Sequence, residues 1–383
     1  MNTKQTEIGE IPKDWEVVKL GEVAPLQRGF DLPERQRVDG AYPVVYSNGI
    51  LNTHNAYKVK APGVVTGRSG TLGRVHYLEE DFWAHNTTLW VTDFINVEPK
   101  FIAYLFQFIG LERFGGGSGV PTLNRNDVHD FQVALPQSKS EQTAIATVLS
   151  DTDRLLAALH ALIGKKRAIK TAAMQQLLSG SLRLPEFATN GSLKNSELGE
   201  IPENWEVVKL GEVAHIKTGS KNNQDKADNG LYPFFVRSET VERINTFSYA
   251  CEAILVPGEG GIGKIFHYIN GKFDAHQRVY VIREFQNTVA KFVYFAMVHS
   301  FGVYAMENSV KATVDSLRLP TFKNFQFAAP KSKSEQTAIA QTLSDMDSEI
   351  AALEARAAKL AQIKQGLMQN LLTGKIRVNA GAA

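Results

Sequence analysis

The chain repeats itself once, and this duplication constrains its fold more than any other feature of the sequence. Residues 7–24 read EIGEIPKDWEVVKLGEVA and residues 197–214 read ELGEIPENWEVVKLGEVA, identical at fifteen of eighteen positions. A second pair, SKSEQTAIATVLSD at 138–151 and SKSEQTAIAQTLSD at 332–345, is identical at twelve of fourteen positions. The repeating unit is about half of the 383 residues, far longer than a solenoid repeat. The duplication therefore predicts two similar domains in tandem, with pseudo-two-fold character.

A long helix is predicted after each globular half. Both helices follow a proline and begin at Ser138 and Ser332, where a glutamate three residues later gives the spacing of a capping box. Gly180 and Gly374 mark the two ends. Apolar residues recur in alternating steps of four and three, the heptad pattern of a coiled coil. The predicted seam includes Leu149, Leu156, Leu159 and Ile163 in the first helix and Leu343, Ile350, Leu353 and Leu360 in the second.

Chain order decides how these helices pair. The first helix leads from the first domain to the second, and the second helix starts at the second domain, so pairing within one chain is antiparallel. The 38 residues from Glu141 to Leu178 form a rod roughly 57 Å long at about 1.5 Å per residue. We expect the rod to space the two domains; the alternative is a coil that dimerises two chains. The predicted α+β organisation is a mixed domain at 1–137, a helix at 138–184, a mixed domain at 185–331, and a helix with a tail at 332–383.

Composition limits the functions open to the chain. Lysine and arginine number 42 against 40 aspartates and glutamates, so a site for a polyanion must be local. The single cysteine, Cys251, excludes a disulfide within the chain and favours a reducing compartment. No apolar run is long enough for a membrane span or a signal peptide. We expect a cytoplasmic protein without a membrane partner.

Between the repeated blocks the two halves diverge. Residues 42–49 read YPVVYSNG where residues 232–239 read YPFFVRSE, and the glycine-rich turns GRSGTLGR (67–74) and GEGGIGK (258–264) follow predicted strands. The second turn nearly spells a phosphate loop, but Ile265 stands where a serine or threonine must hold Mg²⁺. A glycine turn that carries arginine suits a DNA backbone or a guanine edge. The divergence favours one scaffold with two reading surfaces, although loops also drift because they tolerate change.

A hairpin turn is predicted at Asn270-Gly271, with residues 79–81 in the equivalent turn of the first half. Two histidines flank each turn: His76 and His85 in the first half, His267 and His276 in the second. No third ligand recurs beside them, so no metal site is expected.

No catalytic pattern is present in the sequence. The chain has no adjacent prolines, which excludes the Asp/Asn-Pro-Pro-aromatic motif of amino-methyltransferases, and no G-x-S-x-G nucleophile elbow. The sequence therefore favours a binding protein over an enzyme.

The repeated motifs together resemble the specificity subunit of type I restriction-modification systems. They are G-E-I-P-x-x-W-E-V-V-K-L-G-E-V at 9–23 and 199–213, Lys-Ser-Glu-Gln before each long helix, and Leu-Leu-Ser/Thr-Gly at 177–180 and 371–374. The resemblance covers nearly the whole chain. It implies two target-recognition domains separated by an antiparallel coiled coil. It further implies that each domain reads one half of a split, asymmetric DNA site and that this chain is not catalytic.

The resemblance also implies partners and contact residues. Two modification subunits would bring S-adenosylmethionine and methylate adenine, and restriction subunits, where the system has them, would use ATP; no cofactor is expected in this chain. The predicted DNA contacts are Arg68, Ser69, Thr71, Arg74, Ser47 and Asn48 in the first half, and Arg237, Lys264 and Arg278 in the second. The alternative is a coiled-coil scaffold whose paired domains bind proteins or a ligand. Affinity for duplex DNA that falls steeply with salt distinguishes the two.

Overall fold

The computed structural model of the chain describes residues 2–116, 119–188, 191–308 and 316–378. The chain divides into two compact units, of which the first contains Met1–His160 with Ala355–Ala383 and the second contains Ala161–Glu354. Each unit thus holds one globular half together with parts of both long helices. Of the predicted C-terminal tail, residues 379–383 lie outside the described residues.

Strands and helices alternate in both units, which confirms the mixed α+β class. The strands are β1 Thr3–Thr6, β2 Gly9–Pro12, β3 Trp15–Lys19, β4 Leu26–Arg28, β5 Tyr42–Tyr46, β6 Gly49–His54, β7 Gly63–Gly67, β8 Val75–Leu78, β9 Trp83–Ala84, β10 Thr88–Val91, β11 Gly115–Gly116, β12 Thr122–Leu123, β13 Gln132–Pro136, β14 Leu193–Ser196, β15 Gly199–Pro202, β16 Trp205–Lys209, β17 His215–Thr218, β18 Tyr232–Phe235, β19 Glu242–Ile244, β20 Tyr249–Pro257, β21 His267–Ala275, β22 Val279–Arg283 and β23 Gln326–Pro330. The helices are α1 Leu20–Val23, α2 Pro99–Ile109, α3 Arg125–Asp130, α4 Lys139–Ser179, α5 Leu210–Val213, α6 Ala290–Ala296, α7 Gly302–Glu307, α8 Leu319–Lys323 and α9 Lys333–Leu371. Among the described residues, no helix combines the length and the apolar character needed to cross a membrane.

The two larger sheets of the first unit have the strand orders β4-β10-β7-β8 and β6-β5-β9. Trp15, Phe101 and Phe106 are fully buried in a core that also contains apolar side chains of the four-stranded sheet. The apolar run of α2 is therefore a core helix, as its composition predicts.

In the second unit, the corresponding strands form one sheet of six, with the order β17-β22-β20-β21-β18-β19. The hairpin predicted at Asn270-Gly271 is wrong, because β21 passes straight through these residues, opposite Glu252 and Cys251 of β20. The nine-residue β20 offers backbone partners to residues 267–273 of β21, and this pairing overrides the local turn preference. In the first unit, residues 79–81 do separate β8 from β9.

The duplicated opening motif builds the same local structure in each unit. Its tryptophan begins a strand that pairs antiparallel with the strand before the long helix, so that Trp15 lies opposite Pro136 in β3–β13. Trp205 lies opposite Pro330 in β16–β23, and both indoles are fully buried. A Cβ at Gly374 would lie 3.4 Å from Trp15. The tryptophan and the closing glycine therefore recur together because they pack against each other.

Both long helices begin and end where the sequence predicts. They start at Lys139 and Lys333, directly after the two predicted capping serines. Gly180 and Gly374 follow with φ of +74° and +71°. This left-handed conformation favours glycine and closes a helix.

The predicted capping boxes, however, are wrong. The carboxylates of Glu141 and Glu335 do not bond back to the helix start; they accept hydrogen bonds from Arg377 and Arg183, residues distant in sequence. Glu335 accepts from Arg183 Nε at 2.6 Å and from its Nη2 at 2.7 Å. It also accepts from the indole of Trp205 at 3.3 Å. Each glutamate thus ties the start of one long helix to the segment that follows the other.

Charged side chains join the two helices in the second unit. Lys166 lies 2.6 Å from Glu349, Arg167 lies 2.6 Å from Glu354, and the ammonium of Lys170 contacts Asp347. These basic residues therefore have partners across the helix pair. Lys166 pairs with Glu349, whereas Lys170, which comes later in α4, pairs with Asp347, which comes earlier in α9. This order is that of an antiparallel helix pair.

In the first unit, the same position of the repeat carries one such pair. Lys364 lies 2.6 Å from Asp153, and Tyr104 donates a hydrogen bond of 2.8 Å to that carboxylate. Lys364 and Asp153 are the repeat counterparts of Lys170 and Asp347, at the common spacing of 194 residues. Each unit therefore holds its parts of the two helices together with an equivalent ion pair.

The predicted seam residues lie on the less exposed side of both helices. Leu149 and Leu343 are fully buried, and Leu159, Ile163 and Ile350 are 5 to 8% exposed. The remaining predicted seam residues, Leu156, Leu353 and Leu360, are half-buried.

Replacing the two glycines inside the long helices with alanine is expected to stabilise the protein. Gly164 and Gly366 lie within α4 and α9, and a Cβ at either position would meet no atom within 4 Å. Alanine gains about 1 kcal/mol over glycine in a helix interior, which corresponds to about 2–4 °C in Tm for a unit of this size. Thermal unfolding of Gly164→Ala and Gly366→Ala measures the effect. A fall in Tm would contradict the open surroundings of these positions.

Candidate nucleic-acid interface

Three loops meet on one surface of the first unit. They are residues 46–49 after β5, residues 67–74 after β7, and residues 85–87 before β10. Arg74 Nη1 donates a hydrogen bond of 2.6 Å to the carbonyl oxygen of Asn48, which joins the first loop to the second. The backbone N–H of Arg68 donates to the carbonyl oxygen of Thr87 at 2.8 Å, which joins the second loop to the third. We refer to these segments as the recognition loops of the first unit.

The predicted residues differ in how far they reach solvent. Asn48, Thr71 and Arg74 are exposed, and Arg68 is half-buried with its Nη1 donating to the carbonyl oxygen of Asn86 at 3.2 Å. Ser47 is only 7% exposed, and its backbone N–H donates to Thr87 Oγ1. Ser47 is therefore placed to hold the loops together, and the other side chains to meet a ligand.

The equivalent loops of the second unit meet in the same way but carry different residues. They are residues 236–239, 258–264 and 276–278. Arg237 and Arg278 both pair with Glu259, at 3.4 and 3.1 Å. Lys264 is exposed on the same glycine turn. The acidic residue that distinguishes the second turn is thus held between two arginines, so the loop cluster as a whole is basic.

Each loop cluster is supported by a histidine, His85 in the first unit and His276 at the equivalent position of the second, that adds no charge. Burial lowers the pKa of His85 and the pKa of His276, so both rings are neutral at pH 7. The ring of His85 lies 4.4 Å from the ring of Tyr46, and Nδ1 of His276 accepts the backbone N–H of Arg278 at 3.0 Å. Both histidines therefore act as internal supports, in agreement with the expectation that they are structural.

In the first unit, sequence reasoning missed the third loop and the residues next to it, whereas Arg278 in the third loop of the second unit is among the predicted contacts. Asn86 and Thr87 receive the hydrogen bonds that fix Arg68, and Arg28 and Arg125 lie beside Arg68 along a common cleft. No short-range pattern points to them, because the strands that carry them come from distant parts of the sequence. The only local signal is Asn124, which caps α3 through a hydrogen bond to the N–H of Asn126.

The two matching loop clusters on one repeated scaffold define a class of proteins with paired binding domains. Comparison with known proteins shows which family this is. A sequence model of the type I restriction modification DNA specificity domain matches residues 12–171 and again residues 202–365. The chain therefore belongs to the family of type I restriction-modification specificity subunits and contains two copies of the domain. The resemblance drawn from its motifs is confirmed.

Individual relatives agree with this assignment. The specificity subunit of the type I restriction enzyme EcoDI from Escherichia coli is 34% identical over 176 residues, which are 46% of this chain and 38% of that protein. The MjaVIII specificity subunit from Methanocaldococcus jannaschii is 23% identical over 432 residues, covering 98% of this chain and 96% of that protein. The S subunit structure from M. genitalium has a TM-score of 0.70 at 17% identity and covers 97% of this chain and 99% of that one. This last likeness establishes a shared fold.

Proposed function

We propose that this chain reads a split, asymmetric DNA site, with one domain for each half-site and the paired helices setting the gap. The proposed recognition domains are residues 1–137 and 185–331, and the spacer segments are 138–184 and 332–383. The observation that carries the proposal is that two equivalent loop clusters occupy the same place on a repeated scaffold but carry unlike residues. Arg68 and Ser69 of the first cluster are replaced by Gly258 and Glu259 in the second, at equivalent backbone positions. Unlike side chains at equivalent positions suit unlike base sequences.

The chain is proposed to act in the cytoplasm as a recognition subunit whose partners perform the chemistry. Two modification subunits would supply S-adenosylmethionine and methylate adenine, and restriction subunits, where present, would use ATP. The repeated scaffold supports two equal partners, because each unit offers an apolar groove in the same place.

The groove of the first unit has a volume of 1200 Å³ and lies between the β1–β2 hairpin, α2, β13 and the end of α9. Ile8, Phe131 and Leu372 line it. Ile8 is 40% exposed and Phe108 on α2 is 38% exposed, so the groove presents apolar surface to the solvent.

The groove of the second unit has a volume of 460 Å³ and is lined by the repeat counterparts Leu198, Phe325 and Leu178. Both grooves include residues of the duplicated motifs, and none of the described residues that line them belongs to the loop clusters of either unit. An apolar segment of the modification subunit, presented once by each of two copies, is the occupant that such repeated surfaces fit.

Arg68→Ala is expected to weaken recognition of one half-site and to leave the other unchanged. If its guanidinium contacts a base edge with two hydrogen bonds, the loss is about 1–3 kcal/mol, or roughly 5- to 150-fold in affinity. Binding of the assembled complex to duplexes altered in one half-site at a time measures this. Equal weakening on every duplex would show that Arg68 contacts only a backbone phosphate and reads no base.

The same titration distinguishes DNA recognition from the scaffold alternative. Affinity for duplex is expected to fall by roughly one power of the salt concentration for each phosphate neutralised. A complex whose affinity for duplex does not depend on salt would contradict the proposed function.

A further inference from the structure

The first unit contains a cleft where three arginines converge outside the exposed tips of the recognition loops. The cleft has a volume of 370 Å³, and Arg28 from β4, Arg68 from the end of β7 and Arg125 from the start of α3 line it. Asn124 and Asn126 add amide groups, and no carboxylate is among the described residues that line it. We call it the arginine cleft.

The positive charge of the arginine cleft is only partly compensated. Arg28 pairs with Asp31 at 2.8 Å, and a hydrogen bond from Asn86 lowers the pKa of Asp31, so this carboxylate stays charged. Arg68 donates to a backbone carbonyl, which fixes its guanidinium but leaves its charge unpaired. The side chain of Arg125 makes no hydrogen bond or ion pair with any residue in the described parts of the chain. Three cations therefore line one cleft, and among the described residues only Arg28 has a carboxylate partner, so an anion bound in the cleft would be stabilised.

Among the residues that the structure describes in the second unit, none of the three equivalent positions carries an arginine. In the first unit, Arg28 of β4 lies opposite Leu89 of β10. In the second unit, Thr218 of β17 lies at the equivalent position, opposite Tyr280 of β22. Gly258 is the counterpart of Arg68. The carbonyl oxygen of Arg68 accepts a hydrogen bond from the N–H of Leu123, and the carbonyl oxygen of Gly258 accepts the equivalent bond from the N–H of Leu317.

Arg125 lies two residues after Leu123, and the residue two positions after Leu317 is Leu319, which is therefore its counterpart. The nearest basic residue, Arg318, is the counterpart of Asn124. The hydroxyl of Tyr280 donates to the carbonyl oxygen of Leu317 at 3.2 Å, and its ring packs 4.1 Å from that of Phe322. An aromatic side chain thus occupies the region that corresponds to the arginine cleft.

Resting on the proposed function, we propose that the arginine cleft binds one backbone phosphate of duplex DNA, so that the first domain has a sequence-independent anchor that the second domain lacks. Guanidinium groups hold phosphate oxygens with paired, charge-assisted hydrogen bonds, and phosphate contacts fix register without reading bases. The cleft is continuous with the recognition loops, because Arg68 belongs to both and Ser69 forms a β-bridge to Thr122 beside it. A DNA strand on the loops therefore reaches the cleft without a separate site.

Arg125→Ala tests the anchor with little risk to folding, because the side chain has no partner to lose. The full chain, assembled with its modification subunits, is titrated with a labelled duplex of random sequence between about 50 and 200 mM salt. We expect a roughly tenfold loss of affinity, equal for all sequences, and a salt slope that is less steep by about one. Arg125→Lys is expected to retain most of the affinity. Lys139→Ala, which removes one charge from an exposed position outside the cleft, is the matched control and is expected to leave the slope unchanged.

A second arm distinguishes a DNA phosphate from a free oligophosphate. Binding of inorganic triphosphate to the DNA-free complex is measured for the unaltered chain and for Arg125→Ala. If the variant loses triphosphate binding but keeps the salt slope on duplex, the cleft is a site for free oligophosphate and the anchor is overturned. If the slope and the affinities are all unchanged, the cleft binds no phosphate and the inference is also overturned. Failure of the unaltered complex to bind any duplex would instead overturn the proposed function, and the anchor with it.

Discussion

Arg183→Met is expected to lower the free energy of unfolding of the second unit by about 3–5 kcal/mol, because it leaves a buried carboxylate without its charge partner. The side chain of Glu335 is 1% exposed and that of Arg183 is 11% exposed, and two hydrogen bonds join them. Water cannot replace the lost partner at this depth. Peptide-resolved hydrogen exchange under increasing urea measures the stability of residues 161–354 separately from the rest of the chain.

The control removes both charges. Arg183→Met combined with Glu335→Leu is expected to recover at least half of the loss, since an apolar pair of similar volume carries no desolvation cost. Arg377→Met in the first unit is expected to cost less than Arg183→Met, because Arg377 is 30% exposed. If the double variant were as unstable as the single one, the loss would come from packing and not from the orphaned charge.

Much of the architecture could be predicted because its sequence signals lie in short continuous segments and occur in both halves of the chain. Fifteen identical positions around Trp15 and Trp205 establish the repeat, and the heptads of α4 and α9 lie in continuous segments. The helix ends at Gly180 and Gly374 follow from a conformation that glycine favours. Such features need no knowledge of distant partners.

The errors arise where a distant partner replaces a local one. Glu141 has the spacing of a capping residue, yet its partner Arg377 lies 236 positions away. Asn270-Gly271 has the composition of a turn, yet both residues lie within β21 and pair with residues of β20. In both cases a long-range hydrogen-bond partner outweighs a local preference that is worth about 1 kcal/mol.

The candidate site was only half predictable for the same reason. The glycine turn containing Arg68 and Arg74 stands out in the sequence because glycine and arginine alternate in it. Arg28 and Arg125 do not stand out, since they join Arg68 only when β4 and α3 come together in the fold. The pairing of Arg237 and Arg278 through Glu259 likewise requires three loops to meet.

Lengthening both helices by one heptad is expected to lengthen the gap between the half-sites and to leave the half-sites themselves unchanged. Duplication of residues 154–160 and of residues 348–354 keeps the heptad phase and places both insertions at the division between the two units. Seven residues add about 10.5 Å of helix, which corresponds to about three base pairs of DNA at about 3.4 Å each. Insertion into one helix alone is the control. With seven extra residues in one helix only, the ion pairs Lys170–Asp347 and Lys364–Asp153 cannot both stay in register, so this variant is expected to lose methylation without producing a new gap.

The measurement is the sequence context of methylated adenines in the DNA of cells that carry this chain with its modification subunits. For the unaltered chain we predict a split site with two unlike half-sites, and for the doubly lengthened chain the same half-sites about three base pairs further apart. An unchanged gap in an active, doubly lengthened chain would contradict the account, because the helices would then not set the distance at which the two domains read DNA.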